Sequence, residues 1–311
     1  MERHAIQPSE VLTEDGGSYP GKLIQRVGGV GRNHADALAR LGCDSVLVSA
    51  VGNDSNAEFV RNSCKHINLC GLKTYSNAPT CTYLSINVGG NIKYGISTIE
   101  PLLHLVTPSL VTENKEHIEN AEYVVLDANL PLPVMKETIN IAEKCGKPVW
   151  FEPTDIKKVR AIFDCGGIDK IAAVSPNANE FLEWLKLCKI ENIDGDVVKS
   201  PRRILELIEK EKEKVMKNVS IMVVSLAQNG TAVIHRDKFG LLTFKSIDAP
   251  VSPKEVVSVS GAGDSFNSGL LAGLLYGKSL DDSINVGQRC ASATLQSVLA
   301  VAESLSPEFV E

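Results

Sequence analysis

Val256-Val257-Ser258-Val259-Ser260-Gly261-Ala262-Gly263-Asp264-Ser265-Phe266 decides how the rest of this 311-residue chain is read. Two glycines around one alanine leave the backbone free to approach a ligand closely. Phe266, Leu270, Leu271, Leu274 and Leu275 then recur at helical spacing, so the loop feeds a helix predicted over 265–276. The unpaired N–H groups and positive dipole end of such a helix favour a bound anion. Asp264 sits where those donors converge and has two readings. It is a helix cap, or it is a base that takes a proton from a hydroxyl while the amides hold the charge of a migrating phosphoryl group. Taken alone, the loop favours the cap.

Working outward, strand and helix patterns alternate. Gly28-Gly29-Val30-Gly31-Arg32-Asn33 opens a helix with apolar Ala35, Leu38, Ala39 and Leu41, closed by Gly42. Residues 45–51 form a continuous apolar run, the pattern of a buried strand, and a helix follows over 57–66. Between 80 and 96 the period becomes two. Thr82, Leu84, Ile86 and Val88 share a face, Gly89-Gly90-Asn91 turns, and Ile92, Tyr94 and Ile96 return as a hairpin that reads as a lid. Short buried strands are predicted at 123–127, 149–151, 171–174 and 220–226, with an antiparallel pair at 231–235 and 241–247. Helices are predicted at 133–145, 181–187, 202–217 and 283–300. Residues 1–20 are polar and read as mostly irregular. The fold class is α/β: one domain over 1–311, a mostly parallel sheet flanked by helices on both faces, with a small β lid at about 80–96.

In such sheets the ligand crevice lies beyond the carboxyl ends of the strands. The polar clusters there are Asp127-Ala128-Asn129, Glu152-Pro153-Thr154-Asp155, Ser175 to Glu180 and Ser225 to Gly230. Any one reads equally as an ordinary turn. Four on one edge, beside the glycine–aspartate loop, read together as a site.

Composition narrows the partners. A net charge of -6 argues against a broad nucleic-acid or anionic-membrane surface. Eight scattered cysteines, without a C-x-x-C pair or zinc spacing, read as reduced thiols of a cytoplasmic chain. No apolar window reaches the length of a membrane span.

Gly28-Gly29-x-Gly31-x-Asn33 with Gly42 and Gly52, then Asn177-x-x-Glu180, then Gly261-Ala262-Gly263-Asp264, occur in the order of the paired signatures of one family. The chain resembles the PfkB (ribokinase-like) carbohydrate and nucleoside kinases from about residue 20 onward. Within that family, residues 29–33, 126–130 and 150–158 look most like the pseudouridine-kinase branch.

The resemblance implies ATP and Mg²⁺ as cofactors and a small sugar or nucleoside as substrate. It implies that Asp264 is the general base on a 5′-hydroxyl, with the amides of Gly261, Ala262 and Gly263 as the anion hole. Asn177 and Glu180 would act through magnesium and its waters, against a helix N-terminal box as the plainer reading. Ser225 and Gly230 match positions lining nucleotide phosphates and ribose, and Asn285 a place near adenine, where a surface polar residue is the alternative. Gly29 and Asn33 would approach the ribosyl hydroxyls, with Asn129 on the same substrate, although Asn33 also suits a helix start. Many relatives pair through the lid sheet, which implies a homodimer.

Three departures stand out. The buried first strand with which the family begins, and the aspartate that ends it, are not found in residues 1–17. Ser258 stands where an aspartate that supports a monovalent-cation loop is common, so K⁺ enters only as an optional cofactor. Ala227 replaces a usual glycine in the nucleotide-binding turn. The alternatives are therefore another PfkB activity (on ribose, adenosine or fructose), or a truncated, catalytically impaired kinase-fold protein that binds a ligand or partner.

Overall fold

A computed structural model describes residues 2–7, 21–88 and 91–311. The strands are β1 (Glu2–Gln7), β2 (Lys22–Arg26), β3 (Ser49–Gly52), β4 (Leu72–Tyr75), β5 (Tyr83–Val88), β6 (Asn91–Ser97), β7 (Val124–Asp127), β8 (Val149–Glu152), β9 (Ala173–Val174), β10 (Ile221–Ser225), β11 (Thr231–Arg236) and β12 (Leu242–Ile247). The helices are α1 (Val30–Arg40), α2 (Ser55–Ser63), α3 (Glu100–Leu103), α4 (Ser109–Glu113), α5 (Lys115–Asn120), α6 (Leu132–Lys144), α7 (Ala161–Asp164), α8 (Ala178–Leu187), α9 (Pro201–Val215), α10 (Ala262–Leu275) and α11 (Leu280–Leu295).

One six-stranded sheet runs β12-β11-β10-β9-β8-β7. Strands β7 to β10 are parallel, and β11 and β12 add an antiparallel margin. Successive side chains of a strand point to opposite faces, and here both faces are covered. Val149 and Phe151 of β8 enter one core with Met222 and Val224 of β10, under helices including α6, α8 and α9. Trp150, Ile221 and Val223 enter the other, under α1, α10 and α11. That double burial explains why these strands read as unbroken apolar runs rather than alternating ones.

The second layer is built for close approach. A Cβ on Gly287 of α11 would lie 2.7 Å from the Phe266 carbonyl oxygen of α10, and one on Gly273 would lie 2.6 Å from Ser283 Cα. These glycines let the two helices touch backbone to backbone. The start of α10 is thereby held at the carboxyl edge of the sheet, beside the start of α1.

A second, four-stranded sheet runs in the order β2-β1-β5-β6. The expected hairpin is its β5–β6 pair. Gly89 and Gly90 of its turn lie outside the described residues. Two expectations are corrected. Residues 2–7 are a strand, pairing antiparallel with β2 and parallel with β5, not irregular chain; the same expectation for 8–20 lies outside the described residues. The apolar run at 45–51 is strand only from Ser49 and pairs with β4 in a separate two-stranded sheet. Its apolar side chains are split between the main core, joined by Val48 and Ala50, and smaller clusters with α1, α2 and β4, joined by Leu47 and Val51. Among the described residues nothing pairs with the outer edge of β7. All eight cysteines are free. Among the described residues no helix is long and apolar enough to cross a membrane.

Because the nearest atom to a Cβ on Gly287 is a backbone oxygen, relief requires the helices to separate. Gly287→Ala is expected to cost about 1–3 kcal/mol, the range for an overpacked core. For a chain of this size that lowers Tm by several degrees. A thermal melt within a degree of wild type would contradict the close-contact account.

Candidate active site

Gly261 caps α10 with a left-handed φ of 75°. A Cβ there would stand 1.8 Å from the Ala300 carbonyl oxygen, so the turn admits only glycine. The first helical bond runs from Ser265 N–H to Gly261 O, leaving the amides of Ala262, Gly263 and Asp264 without an intrahelical acceptor. Only Ala262 N reaches back, to Val259 O at 3.5 Å. Asp264 lies in the first turn, and no side chain caps this helix. The capping reading therefore falls. The Asp264 carboxylate instead accepts a 2.6 Å hydrogen bond from Asn33 Nδ2, a residue 231 positions earlier.

The start of α1 is built alike. Gly29 precedes the helix with φ 99°, and Asn33 N–H closes onto its carbonyl at 2.8 Å. Gly31 N–H donates to Asp127 Oδ2 at 3.0 Å, at the carboxyl end of β7. Asp127 Oδ1 accepts from Asn129 N–H at 2.8 Å, and Asn129 Oδ1 accepts from Lys158 Nζ at 2.5 Å. Gly29, Asn33, Asp127, Asn129, Gly261 and Asp264 all line one cavity of about 1140 Å³. It continues along the outer edge of β7 toward residues 45–51. Asp264 thus faces a cavity, with its side chain 16% exposed.

The electrostatics are those of crowded acids. Burial is the largest influence on Asp264 and pushes its carboxyl up; His34 opposes this, Glu152 adds to it, and Asn33 and Arg32 oppose it. Behind Asp264, Glu152 ends β8 at 5% exposure and accepts from Asn267 Nδ2 at 3.0 Å. Arg32 is paired with Asp36 at 2.5 Å.

The remaining candidates form a second group. Asn177 and Ser225 stand side by side in a parallel bridge, joined by Ser225 N–H to Pro176 O at 3.1 Å. Asn177 and Glu180 form a capping box on α8, the plainer of their two readings. Burial raises the Glu180 carboxyl to about 7, the Asn177 backbone bond pulls it down, and Glu152 and Asp155 push it further up. Gly230 has φ 88°, and a Cβ there would meet Ile247 O at 2.1 Å. Ala227 holds φ 51°, a conformation that favours glycine, which accounts for the residue usual at that position. Asn285 is exposed on α11. Asn177, Glu180, Ser225, Gly230 and Asn285 do not line the cavity that holds Asp264. Among the described residues no group of three or more His, Cys, Asp or Glu gathers to hold a metal ion.

Sequence reasoning overlooked His34, Lys158 and the roles of Asp127 and Glu152. Asp127 and Glu152 carried one signal, a carboxylate at the end of a buried strand. His34 carried another, a polar residue on a helix face otherwise apolar at Ala37, Leu38 and Leu41.

Glu180 gives the site a pH signature. Its folded pKa of about 7 exceeds the ordinary glutamate value, so the folded chain keeps a proton that the unfolded chain has released. Stability from this group is present below the ordinary range and is lost as pH rises through about 7. Glu180→Gln keeps the acceptor for Asn177 N–H and removes the charge. Its Tm is expected to match wild type near pH 5 and to exceed it by several degrees near pH 8. The same offset at both pH values would refute the assignment.

The chain matches the pfkB family carbohydrate kinase description over residues 1–306. It is 23% identical to "Pseudouridine kinase" of Arabidopsis thaliana, covering 94% of this chain and 87% of that protein. It is 25% identical to "Pseudouridine kinase" of Escherichia coli strain K12, covering 89% and 82%. Its fold superposes on the Arabidopsis thaliana ribokinase structure complexed with ribose and ATP with a TM-score of 0.77 at 19% identity, covering 99% and 94% of the two chains. Two signature segments meeting at one acid, on a ribokinase-like α/β frame and within a family match that runs almost end to end, lead to one conclusion: the chain belongs to the pfkB family of carbohydrate kinases.

Proposed function

We propose that this chain transfers the γ-phosphoryl group of ATP to the 5′-hydroxyl of a nucleoside, with pseudouridine as its substrate. The observation that carries the reading is the Asn33–Asp264 hydrogen bond at the wall of the cavity, directly at the open amides of α10. The names of the Arabidopsis and Escherichia coli relatives support the nucleoside.

Asp264 accepts the hydroxyl proton, and Asn33 fixes the carboxylate that does so. The amides of Gly261, Ala262 and Gly263 meet the charge that develops on the phosphoryl oxygens. Gly29 and Asn129 hold the ribosyl and base side of the cavity, with Lys158 orienting the Asn129 amide. Ser225, Gly230 and Asn285 take the nucleotide. Mg²⁺ would be held through Asn177 and Glu180 and would neutralise phosphate charge. The fit rests on Glu180, whose buried carboxyl sits near Glu152 and Asp155 and so gains from a nearby cation.

A second reading, ligand binding without turnover, is favoured by the unpaired outer edge of β7 among the described residues. ATP consumption with pseudouridine, uridine, adenosine, ribose and fructose separates the two. Turnover is expected with pseudouridine above the others, and Asp264→Asn is expected to lower kcat about 10²–10⁴-fold, the range for a general base. Equal turnover by that variant would remove the mechanism, and calorimetric binding without phosphate transfer would favour the second reading.

The same reading includes a homodimer through the lid. Register aligns Leu23 of β2 with Tyr94 of β6 across β1 and β5, and Leu23, Tyr94 and Ile96 are 66%, 51% and 55% exposed. Wild type is expected to elute at twice its 33.5 kDa mass and Ile96→Glu at the monomer mass. A monomeric wild type would refute it.

A further inference from the structure

His34 follows Asn33 on α1, and its ring enters the space between α1, α10 and β8. Nδ1 lies 2.9 Å from Ser268 Oγ. Nε2 lies 3.1 Å from Glu152 Oε1 and 3.9 Å from Asp264 Oδ1, with the side chain 4% exposed. No aligned hydrogen bond reaches Nε2, because it sits between two carboxylates rather than squarely on either. Carboxylates only accept, so Nε2 carries a hydrogen; the hydroxyl of Ser268 can accept one from Nδ1. A buried pair of acids around one imidazole is the setting in which both ring nitrogens are protonated.

We propose that His34, as an imidazolium held between Glu152 and Asp264, is a positioning residue that keeps the Asp264 carboxylate charged and aimed at the substrate hydroxyl. The proposal rests on the kinase reading of Asp264. Burial alone would depress the His34 imidazole, but the adjacent Glu152 carboxylate, with the charges of Asp264 and Asp127, raises it. The charged groups around this cluster are Arg32 from α1, Asp127 from β7 and Glu152 from β8; α10 adds the uncharged Asn267 and Ser268. Arg32 is engaged with Asp36, which leaves His34 as the cation between the two acids.

Without that cation, Asp264 and Glu152 would confront each other in a site that already favours the neutral acid, and Asp264 would hold its proton to higher pH. Loss of packing alone would lower the rate equally at every pH. The two roles therefore separate in a pH profile.

The experiment is kcat/KM for pseudouridine against pH for wild type, His34→Gln and Asp264→Asn. In His34→Gln the acid limb is expected to move up by about one to two pH units, the size of a lost opposite charge at this distance. The rate near pH 6 then falls about tenfold or more and recovers near pH 9, while nucleoside affinity by calorimetry is little changed. A uniform fall at all pH values, or no change, overturns the proposal. Wild-type turnover by Asp264→Asn overturns the reading of Asp264 as the base; an Asp264→Asn slowed as expected with an unmoved His34→Gln profile overturns only the role of His34. A nitrogen-15 titration of the wild-type histidines supplies the answer if His34→Gln does not fold. A His34 ring protonated on both nitrogens near pH 7.5 supports the proposal, and a neutral ring overturns it.

Discussion

The hydrogen bond from Asn33 to Asp264 is the constraint on which the rest of this molecule depends. It joins the first turns of two helices whose sequences are 231 residues apart, and each helix begins at a glycine with positive φ. For the bond to form, α1 and α10 must lie on the same face of the sheet with their N-termini at its carboxyl edge. The packing of α10 on α11, through Gly273 and Gly287, sets that height. Backbone contact between helices leaves little freedom to slide, so packing in one layer translates into the position of one carboxylate.

Electrostatics set the opposing demand. Parallel strands ending together bring Asp127 and Glu152 to neighbouring positions, and α10 adds Asp264 to the same edge. Three acids at one edge would repel, so the fold offsets them locally. Gly31 N–H and Asn129 N–H hold Asp127, Asn267 holds Glu152, Asn33 holds Asp264, and His34 lies between the last two. Burial, with Glu152 and Asp155 adding to it, raises the Glu180 carboxyl to about 7.

Most of the framework was legible because burial on two faces leaves a strong mark. β8 and β10 could not have been anything but short apolar strands, and Gly42, with φ 83°, closed α1 as its place in the pattern required. Less was legible where partners lie far along the chain. Residues 2–7 are polar and become a strand only because β2 and β5 flank them. Residues 45–51 read as one buried strand, yet only from Ser49 do they form a ladder, and its partner is β4. In the site, the glycines and Asp264 stood out as a motif, whereas His34 did not, since a single histidine in a helix has no meaning until Glu152 and Ser268 are placed against it.

By itself the sequence determined the alternation of elements, the loop that opens α10 and the acid within it, because periodicity and glycine placement are local properties of the chain. Only the tertiary structure decided that Asp264 is not a cap, that Asn33 is its partner and that His34 stands behind it. Those facts are distances between segments far apart in sequence, set by how helices pack across a sheet, and no local pattern encodes them.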